Sequence, residues 1–280
     1  MIERPLVFEI AGESLLGILH DGTGGQREFG ILIVVGGPQY RVGSHRQFVL
    51  TARVWAAAGF PVMRFDYRGM GDSTGEPRTF EAVHDDIGAA IDAMFRECPS
   101  LDRVVLFGLC DAASAILMYC KSDARVAGLI IANPWVRTPE GQARSYVRHY
   151  YRARLLQRSF WRKLLSGHLD AVMSLRGLLA SWSRSRDVRS EGAGGFISRM
   201  RDGLATFPGP VLLLLSERDL TAKEFVDLCQ EDPDWAKAAG RHLLTKVVVP
   251  KADHTFSTRA ELERAAELSV AWLNSVLRQQ

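Results

Sequence analysis

Apolar positions along the chain follow two alternating rhythms. Short runs over residues 6–10 and 14–20, joined at Ala11-Gly12-Glu13, predict two antiparallel strands. A continuous apolar run over 31–35 predicts a strand covered on both faces. Phe48, Val49, Ala52, Trp55 and Ala56 then recur at helical spacing, predicting a helix over 46–58. The alternation continues with a strand over 61–65 and a helix over 81–96, with Val83, Ile87, Ala90, Ile91 and Met94 on one face. A strand from 104 turns sharply at Gly108 into a helix of small residues ending near Cys120, and a strand follows over 126–132. After Asn133-Pro134-Trp135 the rhythm stops. It resumes with a strand over 211–215, a helix over 222–228, a strand over 246–249 and a last helix over 258–277. The glycine-rich turn Asp21-Gly22-Thr23-Gly24-Gly25 is followed by neither Lys-Ser/Thr nor a helix, so a hairpin connection is expected there rather than a phosphate loop.

Strands alternating with helices predict an α/β domain: a mainly parallel, twisted sheet with helices on both faces. The core covers 1–136 and 207–280, and the helical segment 137–206 is inserted as a lid. Ligands in such sheets bind beyond the C-terminal strand ends. A charged fraction of 24% and a net charge of +3 do not point to nucleic acid. The apolar runs are far shorter than the ~20 residues of a membrane-spanning helix. No cleavable signal pattern opens the chain, and the four cysteines are scattered, so a reduced cytoplasmic protein with neither disulfides nor a metal site is expected.

Candidate chemistry gathers at three strand ends. Gly108-Leu109-Cys110-Asp111-Ala112 has the Gly-x-nucleophile-x-small form of a strained strand-to-helix turn that presents one side chain. Here that side chain is the thiol of Cys110. Asp219 follows the strand over 211–215, and His254 follows the strand over 246–249, supplying an orienting acid and a base. By residue type alone Glu217 or Asp253 could take the place of Asp219. The oxyanion donors expected are the backbone N–H of Asp111 and that of Gly37, because Pro38 has none. Cys98, Cys120 and Cys229 need no role beyond packing.

These segments resemble the α/β-hydrolase superfamily. Gly36-Gly37-Pro38 looks like its oxyanion loop, with Val35 where histidine is usual. Asp66-x-Arg68-Gly69-x-Gly71-x-Ser73 is similar to the segment after the fourth strand of lysophospholipase-like members, where buried hydrogen bonds from Asp66 and Arg68 would fix the turn. The resemblance implies the α/β-hydrolase fold and a Cys110–His254–Asp219 triad needing no cofactor. The Cys elbow and the GGPQYRVGSHRQF segment most resemble the exosortase A system-associated hydrolases of type 1, which implies a bacterial exopolysaccharide setting. Thiolate chemistry suits an acyl thioester or activated ester, as in a thioesterase, esterase or acyltransferase. A catalytically silent scaffold that binds an acidic partner is the alternative.

Two basic stretches bear on partners. The polar connection 39–47 either shapes the mouth of the site, with Arg41 and His45 meeting an anionic group, or is a surface loop. Arg144, Arg148 and Arg152 fall along one helical face of the insert. That face is either solvated, or it meets an acyl carrier or CoA phosphates, or it contacts an anionic membrane surface. Gly192-Ala193-Gly194-Gly195 is a candidate hinge. Nucleic acid is not expected, since no recognition motif accompanies the arginines.

Overall fold

The computed structural model describes residues 2–23, 28–37, 39–136 and 193–276. Strands β1 (Glu3–Ile10) and β2 (Glu13–His20) form the antiparallel hairpin expected from the turn at Ala11-Gly12. Strands β3 (Phe29–Val34), β4 (Val62–Phe65), β5 (Arg103–Leu109), β6 (Val126–Ala132), β7 (Val211–Ser216) and β8 (Leu244–Val249) complete one eight-stranded sheet in the order β1-β2-β4-β3-β5-β6-β7-β8. β2 meets β4 antiparallel, and every pairing from β4 to β8 is parallel. β2 therefore does not pair with β3. The turn after His20 is not a hairpin: it crosses β4, and Thr23 is tied to Ala56 and Ala57 at the end of the next helix. Residues 24–27 of that turn lie outside the described residues.

The central strands bury every side chain, as their unbroken apolar runs require when helices cover both faces. Helices α2 (His84–Glu97) and α3 (Asp111–Tyr119) cover one face. On the other lie α1 (Gln47–Ala57) and α7 (Arg259–Val276), where Trp55 hydrogen-bonds Ala266 across the pair. Helix α4 (Ala193–Thr206) is the C-terminal end of the expected insert. Met200 and Leu204 on it are fully buried, and Gly203 lies so close to Leu117 that a β-carbon would collide with the Leu117 carbonyl. This end of the insert thus packs on the core; Gly194 and Gly195 of the expected hinge lie in the first turn of this helix, and Gly192 lies outside the described residues. Helices α5 (Leu220–Glu231) and α6 (Pro233–Ala239) complete the description. α6 was not expected from periodicity, yet it carries its own start signal: Asp232 caps it and Pro233 opens it. Among the described residues no helix is long and apolar enough to cross a membrane.

The segment after β4 is held by buried polar bonds. Asp66 accepts from the Arg41 and Asp72 backbone N–H groups, and Gly71 has no room for a side chain because the Asp66 carboxylate fills that space. Arg68 grips Asp86 with two parallel bonds of 2.8 Å, both side chains almost fully buried. Cutting one partner leaves the other charge buried and unpaired. Arg68→Ala is expected to lower stability by about 3 kcal/mol, read as a lower midpoint in urea unfolding.

Candidate active site

Cys110 stands between β5 and α3 with φ 62° and ψ −123°, a conformation disfavoured for any residue with a β-carbon. The neighbouring chain over-determines it. Its N–H donates to Ala132 on β6, and its carbonyl accepts from Ser114 and Trp135. Gly108 permits this approach, since a β-carbon there would lie 2.5 Å from the Ala112 carbonyl carbon. The thiol is half-buried, and all four cysteines are free.

His254 follows β8 and Asp219 follows β7, so parallel pairing of those strands delivers both to the Cys110 side of the sheet edge. The Asp219 carboxylate is buried and accepts three hydrogen bonds. Two come from the first turn of α5, Thr221 and Ala222 at 3.1 Å each, and the third from His254 Nδ1 at 2.8 Å. A carboxylate only accepts, so Nδ1 carries the shared proton. Cys110 lies on the same cavity floor as the ring. Burial, the largest influence, disfavours the imidazolium, but the bond to Asp219 and the neighbouring Cys110 outweigh it and raise His254 to about 10. The rival acids are occupied elsewhere: Asp253 accepts from the Thr255 and Ser257 backbone, and Glu217 from Lys251.

Asn133, at the end of β6, was not singled out from the sequence. It is fully buried at φ 44° and ties three strand ends together. Its amide donates to Ser216 Oγ and to the His254 carbonyl, both at 2.9 Å, and its oxygen accepts from Ser216 N–H at 2.8 Å. Asn133 thereby fixes the backbone from which the imidazole projects. Asn-Pro after a strand reads locally as a turn, so no sequence signal marks this role.

Of the two expected oxyanion donors, the Gly37 N–H is engaged within the chain. Gly37 has φ 62°, which aims its N–H at Asp111 Oδ2, 2.8 Å away. The same carboxylate accepts from Ala112 N–H at 2.9 Å. Gly36 makes the arrangement fit, because a β-carbon there would overlap Asp111 Oδ1. Burial raises the Asp111 carboxyl above the usual carboxylate range, with the nearby backbone N–H groups pulling the other way.

In the 39–47 connection, Arg41 pairs with buried Asp66 and, at 2.6 Å, with Asp72. It braces the loop against the β4 segment instead of presenting a free cation to an anionic group. His45 Nε2 lies 3.1 Å from the Thr255 carbonyl and so links this loop to the His254 loop. Arg144, Arg148 and Arg152 lie outside the described residues. Above Cys110 opens a cavity of about 360 Å³ walled by Phe48, Phe80, Leu109 and Trp135 and floored by Gly37, Cys110 and His254. Among the described residues no group of three His, Cys, Asp or Glu could hold a metal ion.

The model of the alpha/beta hydrolase family matches residues 31–268. Among solved structures, an esterase of Pyrococcus furiosus, Pf2001, superposes with a TM-score of 0.67 at 13% identity, covering 98% of this chain and 91% of its own. The esterase domain of a Rhodothermus marinus protein gives a TM-score of 0.62 at 18% identity, covering 98% of each chain. Est1E of Butyrivibrio proteoclasticus, solved with ferulic acid bound, gives 0.64 at 12% identity and covers 98% of this chain and 99% of that one. At such identities the likeness is one of fold. No curated protein sequence matches the chain. With its strand order, its strained elbow and a family match over most of its length, the chain belongs to the alpha/beta hydrolase family.

Proposed function

We propose that this hydrolase cleaves an acyl thioester or activated ester through a covalent Cys110 intermediate. The observation that carries the proposal is the 2.8 Å bond from His254 to buried Asp219 beside Cys110 on its strained elbow. With the proton shared by Cys110 and His254 held on His254, Sγ bonds to the acyl carbon and the carbonyl electron pair moves to oxygen. Collapse of that adduct breaks the bond to the leaving group, which receives the proton from His254. Water then attacks the S-acyl enzyme with His254 as base, releasing the acid and restoring the thiol. If an alcohol or amine acceptor replaces water, the same site transfers the acyl group.

Gly37 and Asp111 N–H stabilise the oxyanion once the Asp111 carboxylate has turned away from the Gly37 N–H. The mainly apolar cavity suits an acyl chain. Delivery on CoA or an acyl carrier rests on the arginines of the insert, as does contact with a membrane surface. The resemblance to the exosortase-associated type adds a bacterial exopolysaccharide setting but no substrate. One observation favours a catalytically silent scaffold instead: the Gly37 N–H is already satisfied by the Asp111 carboxylate.

Intact mass measurement after mixing with p-nitrophenyl esters and acyl-CoA thioesters separates the two. An acyl adduct is expected on the wild type and not on Cys110→Ala. Absence of both adduct and turnover across the panel supports the scaffold.

A further inference from the structure

A second cavity, of about 410 Å³, adjoins the one above Cys110 and shares Gly37 and Gln39 with it. Its walls include Tyr40, Tyr67 and Arg78, and its floor is the glycine turn after β4. Three arginines belong to this part of the molecule, and they are not equivalent. Arg41 is neutralised by Asp66 and Asp72, and Arg68 by Asp86 with Asp85 at 3.7 Å. Arg78 pairs with no acid among the described residues, and its Nε is buried with no hydrogen-bond partner; Arg41 Nε is equally unpartnered, but its charge is met by Asp66 and Asp72. A half-buried guanidinium with no paired acid and an unsatisfied donor, on the wall of a cavity that shares Gly37 and Gln39 with the nucleophile's own, is placed to bind a planar anion.

We propose that Arg78 forms an anion subsite beside the nucleophile, and that the substrate is an ester or thioester bearing a carboxylate or phosphate group. The inference rests on the acyl chemistry assigned to Cys110, and it narrows the substrate class. The anion sits in the Arg78 cavity while the reacting carbonyl lies over Cys110. Gly37, common to both cavities, forms the passage between them, since it has no side chain to divide the space. Arg41 and Arg68 cannot take the role without giving up buried carboxylates.

Arg78 contributes to binding rather than to bond making, so its loss should raise KM and leave kcat nearly unaffected. The test compares matched pairs on the wild type and Arg78→Gln. One pair is mono-p-nitrophenyl glutarate against p-nitrophenyl butyrate, with the anion on the acyl side. The other is butyryl-CoA against butyryl-N-acetylcysteamine, with phosphates on the leaving group.

The wild type is expected to favour the anionic member of at least one pair by 10-fold or more in kcat/KM. Arg78→Gln should lower that preference at least 10-fold through KM. A loss confined to the glutarate pair assigns the anion to the acyl group, and a loss confined to the CoA pair assigns it to the leaving group. Either supports the subsite. Equal preference in both proteins overturns it.

A readout independent of turnover distinguishes failure of the subsite from failure of the acyl chemistry. Glutarate or inorganic phosphate should slow alkylation of Cys110 by iodoacetamide in the wild type and not in Arg78→Gln. Protection that Arg78→Gln abolishes supports the subsite even if no ester turns over. Absence of protection in both proteins overturns it, even where esters are cleaved.

Discussion

His254→Ala is expected to cut the rate of Cys110 acylation by about a thousandfold or more, the scale of a positioned base. Among the described residues the imidazole is the titratable group that bonds the buried acid and shares the cavity floor with Cys110. The measurement is single-turnover release of p-nitrophenol, with far-ultraviolet dichroism to verify the fold. A loss of tenfold or less would show that His254 is not the base.

The same bonds make stability depend on pH, and the sign is determined by the raised pKa. A histidine held near 10 in the folded chain, against about 6.5 when unfolded, favours the fold as an imidazolium. Its contribution is complete below pH 6.5 and is lost as pH rises towards 10. The stability difference between the wild type and His254→Gln in urea should therefore shrink across that window. A difference that stays flat would contradict the charged pair.

Asp111→Ala is expected to tighten binding of a trifluoromethyl ketone by about a hundredfold. Attack by Cys110 on that carbonyl makes an S–C bond and an oxyanion that needs the Gly37 and Asp111 N–H groups. In the wild type it must first displace the Asp111 carboxylate that already holds the Gly37 N–H. One oxyanion donor is worth about 10²–10³-fold, so removing the competitor returns an effect of that order. Alkylation of Cys110 by iodoacetamide forms no oxyanion and should change little. Asp111→Asn, which keeps the shape without the charge, should fall between the two. Weaker ketone binding in Asp111→Ala would mean that the carboxyl group assists the oxyanion instead of competing with it.

Much of the architecture was legible in the residues because it depends on short-range rules. The apolar runs of β3, β5, β6 and β7 could only be buried strands, and the stripe on α1 could only face a sheet. The elbow was equally local, since a glycine two residues before Cys110 and small residues after it are what close strand–helix approach demands. The Asp-x-Arg-Gly-x-Gly-x-Ser segment was read correctly as a set of buried bonds, although Asp86, the partner of Arg68, lies on α2. Other features were missed or misjudged. The turn after β2 was assigned to a hairpin because its glycines specify a bend and not which strand comes next in the sheet. Gly194 and Gly195 suggested a hinge, yet they lie in the first turn of α4, whose packing on α3 overrides their weak helix propensity.

The elbow that presents Cys110, the two strand ends that carry Asp219 and His254, and the glycine loop opposite them were determined by sequence alone, because backbone strain and the ends of apolar runs are written in neighbouring residues. Three other features emerged only in the tertiary structure. Asn133 clasps β7 and the His254 loop, the Asp111 carboxylate holds the Gly37 N–H, and among the described residues Arg78 is left without an acid while Arg41 and Arg68 find theirs. Each depends on groups brought together from distant parts of the chain, and no local pattern records which polar group has a partner and which does not.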